Sequence, residues 1–379
     1  MHIEIFEKFS DFTKSDWSTL STKDNPCLSY DFIENAEITG CVSNETGWRP
    51  RHLALFDKKG SIKAALLLYE KTHSWGEFVF DFTWAQAYRD NQLPYYPKLI
   101  SCIPYTPVSS NKILLKNPND NESAEEIVNQ AIKLTENHGF SSLHFHFLKP
   151  ADLILLESSN LLKRVDCQFH WFNQNYHSFD KFLERLTSSK RKKIKRERRK
   201  IAEQNITFKW QNGSEISSEK WKKIYELISM TFYKKGSSPY FSNDFFIEIS
   251  NKLPDKIMVI TANIKSKIIG AAIFFVGIDN LYGRYWGTDD GFDSLHFETC
   301  YYQGIDYCIK NNIKCFEPGT GGEHKISRGF IPKKTWSAHY LSNNDFSNAI
   351  KNYLSKESLY IDNYIQGVED HSPYKTEKK

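Results

Sequence analysis

The sequence predicts an α/β fold with mixed sheets, in which one α/β unit is repeated in tandem. Three observations support this prediction: a length of 379 residues, a composition of 40% hydrophobic and 25% charged residues, and a succession of expected elements that occurs twice. A chain of this length suits two domains, because single cores stop growing at roughly 250–300 residues. We expect domains at 1–165 and 166–345, the second containing a basic helix at 188–204, and a C-terminal helix with a frayed tail at 346–379.

A β-hairpin is expected near the start of each half. Apolar runs flank a glycine-containing turn in RHLALFDKKGSIKAALLLY (51–69), and IMVITANIKSKIIGAAIFFV (257–276) follows the same plan. Strands rich in aromatic residues are expected next, at 76–88 and 281–288. The two halves therefore begin with equivalent strands.

A helix and a further strand are expected after each aromatic strand. In the second half, apolar residues recur at three- and four-residue spacing from Phe297, which is typical of one helix face. In the first half, the corresponding helix is expected to open at Tyr95. The final strands are SSLHFHFL (141–148) and IKCFEPG (313–319). The repeated order of hairpin, strand, helix and strand predicts a tandem duplication.

Between the halves, a strand is expected at 167–173 and a helical stretch at 178–205, which the residues TSS either break or cap again. Within this stretch, nine of the eleven residues from 190 to 200 are Lys or Arg, interrupted by Ile194 and Glu197. Nine basic residues and one glutamate give the run a charge of +8, in a chain of net charge +4, so the basicity is local. Such dense charge repels itself, which favours a face that binds anions, with a merely solvated face as the alternative.

The composition argues against several classes of protein. The longest apolar stretch, 268–278, is well short of the ~20 residues that cross a bilayer, and the sequence starts without a secretory pattern. We therefore expect a cytoplasmic protein without stable membrane insertion. The seven cysteines form no CxxC pair, which argues against a disulfide framework or a structural zinc site. His144 and His146 alternate with apolar residues, but without an evident third ligand no metal site is expected.

Seven stretches together resemble a known family: NPCLSYDFIENAEITGCV, TGWRPRHLALF, CQFHWFN, SSKRKKIKRERRKI, LYGRYWG, LHFETCYYQGIDYCI and EPGTGGEHKISRGF. They occur in order from about Asn25 to about Tyr340. They are similar to the Fem-like branch of the GNAT acyltransferase superfamily, and more specifically to the bacterial FemAB-like N-acyltransferases assigned to peptidoglycan biosynthesis. This resemblance implies two GNAT-like domains in one chain.

The resemblance also implies a function. It implies an N-acyltransferase that moves an acyl or aminoacyl group from an activated, polyanionic donor to an amine, without a metal or redox cofactor. Fem proteins take aminoacyl groups from tRNA and add them to cell-wall precursor peptides, whereas most single-domain GNAT enzymes take acetyl from CoA. The acceptor would then be an amine, such as one on a peptide or cell-wall precursor.

The choice of donor rests on the segment GTDDGFDSLHFET, where a CoA-dependent GNAT enzyme carries its glycine-rich pyrophosphate loop. Asp289, Asp290 and Asp293 would repel a pyrophosphate there. We therefore favour aminoacyl-tRNA as the donor. Two alternatives stay open: an acyl-CoA-dependent N-acyltransferase, and a non-catalytic nucleic-acid-binding protein with the same fold.

Donor phosphates are expected to contact the basic helix, through Lys190, Arg191, Lys192, Lys195, Arg196 and Arg199. The glycine-rich segment EPGTGGEHKISRGF (317–330) follows an expected strand and should complete the site. His324 and Glu317 are the candidates for accepting a proton from the attacking ammonium. Lys325 and Arg328 would hold an anionic group.

Acyl and acceptor contacts are expected from Arg284, Trp286, His296, Gly321, Gly322, Asp81 and Trp84. Arg284 and Trp286 share one face of a strand that, in the GNAT pattern, lies along the acyl donor and polarises its carbonyl. Asp81 and Trp84 form an aromatic and acidic surface suited to an amine, with core packing as the alternative.

Overall fold

The computed structural model describes residues 1–23, 25–289 and 291–375; Asp24, Asp290 and residues 376–379 lie outside the described residues. The chain divides into two units. The first comprises Met1–Cys167 and Lys334–Asn363, and the second comprises Gln168–Lys333 and Tyr364–Lys379. Residues 334–345, which we expected in the second domain, thus belong to the first unit.

The strands, in chain order, are β1 (His2–Phe6), β2 (Trp48–Pro50), β3 (His52–Phe56), β4 (Ile62–Leu66), β5 (Tyr69–Lys71), β6 (Lys98–Ser101), β7 (Ile113–Leu115), β8 (Ser142–Phe145), β9 (Leu162–Phe172), β10 (Ile206–Asn212), β11 (Ile257–Ile264), β12 (Lys267–Val276), β13 (Asn280–Thr288), β14 (Cys315–Glu317) and β15 (Ile331–Leu341). The helices are α1 (Lys14–Thr19), α2 (Tyr30–Ile38), α3 (Phe82–Asp90), α4 (Asn121–Asn137), α5 (Pro150–Ser158), α6 (Phe179–Arg185), α7 (Ser188–Glu203), α8 (Ser218–Tyr233), α9 (Asn243–Lys252), α10 (Leu295–Phe297), α11 (Gln303–Lys310) and α12 (Asn344–Glu369).

The first unit contains an antiparallel set of strands in the order β1-β3-β4-β7. A second, mixed set has β8 between β15 and β6, with β8 antiparallel to β15 and parallel to β6, and continues through β5 to β2. Helix α4 is amphipathic and buries Ile127, Val128 and Ala131 in the apolar core of this unit, beside strand residues such as Leu55 and Leu143. Burial of this helix face, at ~25 cal/mol per Å² of apolar surface, is a main source of stability for the unit.

The second unit is built on the strand order β10-β11-β12-β13-β14-β9, in which β13 and β14 are parallel and the other neighbours antiparallel. Helix α8 packs so closely on β13 that a Cβ at Gly287 would lie 2.1 Å from the backbone of Leu227. Only glycine permits this approach.

Strands β13 and β14 separate after a short parallel contact. Their pairing runs from Asn280 with Cys315 to Tyr282 with Glu317. Beyond that point the chain after β14 leaves as a loop, while β13 continues to Thr288. The far half of β13 therefore has no described strand neighbour on that side, and alternate backbone N–H groups there are not used in pairing with β12.

The fold class predicted from the sequence is confirmed as a mixed α/β fold with mixed sheets. The hairpins are β3–β4 and β11–β12, and the strands expected around residues 141–148, 167–173, 281–288 and 313–319 are β8, β9, β13 and β14. The helical stretch expected at 178–205 is two helices, α6 and α7, so that the residues TSS mark a break.

Two expectations for the first half are wrong. The stretch 76–88 was expected as a strand, but its second part forms helix α3, because Trp84, Ala85 and Tyr88 recur at helical spacing and are buried together. The helix expected from Tyr95 is instead an extended segment that leads into β6. Pro97 disfavours a helical conformation for the residue before it. The duplication is therefore less regular than the sequence suggested.

The C-terminal tail, expected to be frayed, is held in its described part. The Tyr374 hydroxyl donates to the Gly329 carbonyl at 2.6 Å, and the Thr187 N–H donates to the Pro373 carbonyl at 2.8 Å. Residues 376–379 lie outside the described residues. Among the helices in the described part of the chain, none combines the length and apolar character needed to cross a membrane.

Candidate active site in the second unit

The basic helix α7 is anchored by the residues that interrupt its charge. Ile194, Glu197 and Ile201 are buried and form one stripe along the helix, at three- and four-residue spacing. The remaining lysines and arginines flank this stripe or face solvent. The face of α7 that meets the protein is thus selected by two isoleucines and a single carboxylate.

Glu197 joins α7 to the glycine-rich segment through a buried ion pair. Its Oε1 accepts a hydrogen bond from Arg328 Nη2 at 2.8 Å, and the Arg328 side chain is only 2% exposed. Its Oε2 accepts a hydrogen bond from the Tyr302 hydroxyl. A buried carboxylate with two donors is well satisfied, and loss of either charged partner would leave the other buried and unpaired.

Arg328 connects three further parts of the site. The centre of its guanidinium lies 3.3 Å from the centre of the Phe297 ring, and its Nη1 donates to the His324 carbonyl at 2.7 Å. This single side chain therefore positions three elements relative to one another: the basic helix α7, helix α10 with Phe297, and the glycine-rich segment with His324.

A cavity of about 330 Å³ opens where these elements meet, and it is lined by Lys193, Arg196, Glu197, Lys200, Asp293, Ser294, Phe297, His324 and Arg328. Four of these side chains are cationic and two are carboxylates, one of which, Asp293, pairs with Lys200 at 2.8 Å. The cavity therefore has a net positive charge and suits an anionic group.

His324 lies on the wall of this cavity and is suited to accept a proton. Its Nε2 is 2.8 Å from the Tyr301 hydroxyl. Burial, together with the nearby charges of Lys325, Arg328 and Lys193, lowers the pKa of His324, so its imidazole is neutral near pH 7. Burial raises the pKa of Tyr301, so its hydroxyl stays protonated, and it can donate to Nε2 or accept from an Nε2–H according to the tautomer of His324.

Gly322 supports His324 directly. Its φ is +92°, and a Cβ at this position would lie 2.5 Å from His324 Cε1. Gly321 also has a positive φ, of +69°, but a Cβ there would meet no atom within 4 Å. The two adjacent glycines thus serve different purposes: both allow the turn, and only Gly322 makes room for the imidazole.

Aromatic rings line the side of the site next to β13. The His296 ring is 5.5 Å from Trp286, 5.2 Å from Tyr301 and 6.1 Å from His324, measured between ring centres. Burial, and the neighbouring His324 as the next cause, lower the pKa of His296 to about 4. His296 is therefore uncharged, and this wall offers a largely apolar surface beside the cationic cavity.

A π-helical turn, Glu298–Tyr302, links α10 to α11 and directs two consecutive tyrosines to different partners. Tyr301 reaches His324, and Tyr302 reaches Glu197. The π-turn also carries Glu298 itself, which pairs with Arg198 at 3.1 Å. Such turns are frequent at functional sites because they re-aim side chains within a helix.

The structure brings only some of the expected donor-binding residues to the cavity. Of the six chosen on the basic helix, Arg196 lines it. Lys192, Lys195 and Arg199 lie on the exposed face of α7, and Lys190 and Arg191 are half-buried. The helix thus offers two cationic surfaces, one inside the cavity and one facing solvent.

In the glycine-rich segment, Lys325 and Glu317 are turned to structural partners. Lys325 is buried, and its Nζ donates to the Gly319 carbonyl at 2.6 Å. Burial lowers the pKa of this ammonium to about 8. Glu317 accepts a hydrogen bond from Asn280 Nδ2 at 2.6 Å and lies 4.0 Å from His170 Nε2.

The other expected contact residues have varied settings. Trp286 and His296 belong to the aromatic wall, while the Arg284 guanidinium lies 5.5 Å from the centre of the Tyr285 ring. Asp81 and Trp84 belong to the first unit and are buried there. Trp84 packs edge-to-face on His339, with ring centres 4.9 Å apart, which favours core packing for this residue.

The cavity and support residues that were missed in the sequence include Lys193, Glu197, Lys200, Ser294, Phe297, Tyr301 and Tyr302. The lysines could have been found from the helical stripe of Ile194, Glu197 and Ile201, because residues 193 and 200 flank it. The tyrosines carried no such signal, since a π-turn is not visible as a spacing pattern. Of the three aspartates expected to repel a pyrophosphate, Asp289 pairs with Lys267 at 2.8 Å, Asp293 pairs with Lys200, and Asp290 is outside the described residues.

The fold is similar to those of several solved structures. FemX matches with a TM-score of 0.53 and 10% identity, covering 93% of this chain and 100% of FemX. A conserved protein of unknown function from Bacteroides thetaiotaomicron matches with a TM-score of 0.52 and 9% identity, over 89% of this chain and 99% of that one. L-PGS from Bacillus licheniformis matches with a TM-score of 0.50 and 8% identity, over 84% of this chain and 93% of L-PGS. These likenesses define a tandem α/β fold shared by proteins of very different sequence.

The sequence itself matches the FemAB-like family, described as peptidoglycan biosynthesis/recognition, over residues 8–376. The chain belongs to the FemAB-like family, which confirms the resemblance seen in its motifs. No curated protein sequence matches the chain.

Replacing Glu197 with Ala should lower the free energy of unfolding by about 3–5 kcal/mol, because Arg328 would stay buried without its carboxylate. Denaturant unfolding followed by circular dichroism measures this change. Glu203→Ala is the matched control, since Glu203 is an exposed glutamate of the same helix and its pairing with Arg199 is at the surface. Equal effects of the two substitutions would contradict an anchoring role for Glu197.

Gly322→Ala and Gly321→Ala should separate backbone strain from displacement of the histidine. Both put a Cβ on a left-handed residue, at a cost of about 1–2 kcal/mol each. Only Gly322→Ala brings that Cβ against the His324 ring, so only this variant should shift the NMR signals and the pKa of His324. If both variants shift these signals alike, Gly322 has no special contact with the imidazole.

Proposed function

We propose that this protein is an N-acyltransferase that moves an acyl or aminoacyl group from an activated, polyanionic donor to an amine. One observation carries the proposal: a net cationic cavity, a neutral histidine and an aromatic wall meet in one place in the second unit. A transferase for such donors needs these features together, namely a charge for the donor phosphate, a base for the amine and an apolar surface for the acyl group.

In the proposed reaction, the amine nitrogen attacks the carbonyl carbon of the donor ester. An ammonium is not nucleophilic, so the acceptor first gives one proton to solvent and attacks as the free amine. His324, in the tautomer whose Nε2–H donates to the Tyr301 oxygen, accepts the second proton from the attacking nitrogen at Nδ1. The new C–N bond forms, the C–O bond to the donor breaks, and His324 passes this second proton to the leaving oxygen. The backbone N–H groups of β13 beyond Tyr282, where pairing with β14 ends, are the candidates for stabilising the carbonyl oxygen.

Glu317, which we considered as a second base, is not part of this proposal. Its carboxylate contacts Asn280 and lies near His170, on the short parallel strand β14. We propose for it a positioning role at the point where β13 and β14 begin to separate.

Aminoacyl-tRNA is the donor that we favour, and the acceptor that we favour is an amine of a peptide or cell-wall precursor. The family description names peptidoglycan biosynthesis or recognition. A cavity of about 330 Å³ suits a terminal phosphate and its sugar rather than a whole polyanion. The exposed face of α7, with Lys192, Lys195 and Arg199, would then contact more distant phosphates of a nucleic-acid donor.

Two sets of three substitutions on α7 should distinguish the donors. The cavity set is Lys193→Gln, Arg196→Gln and Lys200→Gln, and the outer set is Lys192→Gln, Lys195→Gln and Arg199→Gln. Each removes three positive charges from the same helix, so net charge is matched. For tRNA, we expect both sets to weaken binding and to reduce the slope of log affinity against log salt by about 2–3, one counterion for each lost phosphate contact.

For acyl-CoA, only the cavity set should weaken binding, because a short donor does not reach the outer face. Filter binding for tRNA and calorimetry for acyl-CoA, each at several salt concentrations, give the required affinities. If neither set changes either affinity, the basic run is a solvated face and the proposed donor site is wrong. Binding of tRNA through the outer set, without turnover of aminoacyl-tRNA, would favour a nucleic-acid-binding protein instead.

His324→Gln should reduce turnover by roughly 10²–10⁴-fold while leaving donor affinity nearly unchanged, which is the usual effect of losing a general base. In the parent protein, the rate should decrease only at pH values below the ordinary titration range of histidine. The pKa of His324 is lowered, so its base form is lost only at those pH values. The variant should lack this acidic limb in single-turnover measurements.

His177→Gln is the control for this experiment, since His177 is an exposed histidine of the same unit. It should leave both the rate and the pH profile unchanged. A His324→Gln variant with a normal rate and an unaltered profile would remove His324 from the mechanism.

A further inference from the structure

Three buried histidines meet in the first unit, and none of them takes part in the proposed reaction. His144 lies on β8 and His146 follows two residues later, so both side chains are on the same side of the chain. His339 lies on β15 directly opposite His144 in the antiparallel register. One nitrogen from each ring lies within 4.8 Å of the others, and all three residues are at most 1% exposed.

The contact between two of these rings can be met in two ways: by a hydrogen bond from one Nδ1–H to the other Nδ1, with the Nε2 of the donating ring accepting from its serine, or by a metal ion between two lone pairs. His144 Nδ1 and His339 Nδ1 are 2.6 Å apart, while the opposite nitrogens, His144 Nε2 and His339 Nε2, are 2.8 Å from Ser142 Oγ and 2.9 Å from Ser337 Oγ. When the outer nitrogens donate to the serines, two lone pairs face each other across this gap. A proton or a metal ion between them relieves the repulsion.

The third ring argues for the metal ion. His146 Nδ1 is buried and has no hydrogen-bond partner among the described residues. A buried polar atom without a partner is uncommon and costly, and a proton shared between His144 and His339 would do nothing for it. A metal ion would use all three nitrogens at once.

The state of the histidines suits a metal as well. All three rings are buried, and burial favours the neutral imidazole, which presents a lone pair. The serine contacts resemble the outer hydrogen bonds that orient metal-bound histidines in general. Zn–N bonds of 2.0–2.1 Å in tetrahedral geometry put ligand atoms ~3.3 Å apart, which small side-chain rotations achieve here.

Asp81 offers a carboxylate close to the histidines. It pairs with the buried Lys98, which also contacts Glu77 at 2.8 Å. Asp81 Oδ1 is buried without a hydrogen-bond partner in the described part of the chain, and its other oxygen accepts from the Tyr95 hydroxyl, which is 3.3 Å from His144 Nε2. Burial raises the pKa of Glu77 to about 7, and the cations Lys98 and Arg164 also act on the three rings, so Asp81 offsets only part of the charge of a dication.

We propose that His144, His146 and His339 bind one divalent transition metal ion, of which Zn²⁺ is the probe, as a buried site that stabilises the first unit. The ligand set of three neutral imidazoles suits zinc. Enclosure of the rings implies that the ion enters as the protein folds. This site does not depend on the acyl-transfer proposal, since it uses none of the residues of the second unit.

Full-length, untagged protein provides the test. The protein is unfolded in denaturant with a chelator, and the chelator is then removed. Removal of the denaturant, with or without Zn²⁺ present, refolds it. After gel filtration we expect one zinc per chain by atomic emission and a higher Tm for the zinc-loaded protein, because a ligand bound only by the native state stabilises it. Refolding with Co²⁺ should give visible absorption bands of a protein-bound ion, which should be lost in His146→Leu.

Four variants locate the ion. His146→Leu should weaken zinc binding by more than about 100-fold, and Ser337→Ala, which removes only an outer hydrogen bond, by about 10–100-fold. His170→Leu changes the histidine of another buried group, His170, Cys315 and Glu317, that also has a metal-compatible composition, and it should keep one zinc. His138→Ala removes an exposed histidine and should likewise change nothing.

Folded parent protein that retains no zinc would overturn the proposal. So would zinc that is lost in His170→Leu and kept in His146→Leu, because the ion would then be at the other group. If His146→Leu does not fold, Ser337→Ala decides: a weakened affinity supports the proposal, and an affinity equal to the parent's contradicts it.

Discussion

The buried ion pair between Glu197 and Arg328 is the contact on which the arrangement of the candidate site depends. A helix with nine lysines and arginines in eleven residues has few ways to attach to a protein, because most of its surface is expensive to bury. One carboxylate within the run solves this problem, since it presents a charge that a buried arginine can satisfy. The same arginine orders the loop that carries His324, so helix and loop are positioned together rather than separately.

Much of the site was accessible from sequence because it is local. The basic run, the glycine-rich segment and His324 were all found, since composition and spacing identify such features within a few residues. The composition does not indicate which way each lysine or arginine side chain points. Lys192 and Lys193 are chemically equal neighbours, yet one faces solvent and the other the cavity. Only the buried stripe that contains Glu197 distinguishes them, and that depends on a partner more than a hundred residues away.

The fold was predictable to a similar extent. Hairpins and their strands were found because apolar alternation and turn residues are local signals. The segment around Trp84 and Tyr95 was not, since its aromatic residues fit both strand and helix patterns and the outcome depends on burial against other elements. The histidine group shows the same limit. His144 and His146 are two residues apart in sequence, whereas strand pairing supplies His339, 195 residues after His144.

The π-helical turn at Glu298–Tyr302 makes the segment between α10 and α11 more sensitive to a change in its number of residues than to a change in their types. A π-turn holds one residue more than an α-helical turn. Deleting any one residue there would restore ordinary helical geometry and rotate everything on one side of it by about 100° relative to the other. Tyr301 and Tyr302 would then no longer point to His324 and Glu197. Relatives of this chain should therefore tolerate changes of residue type in this turn more readily than a change in its number of residues.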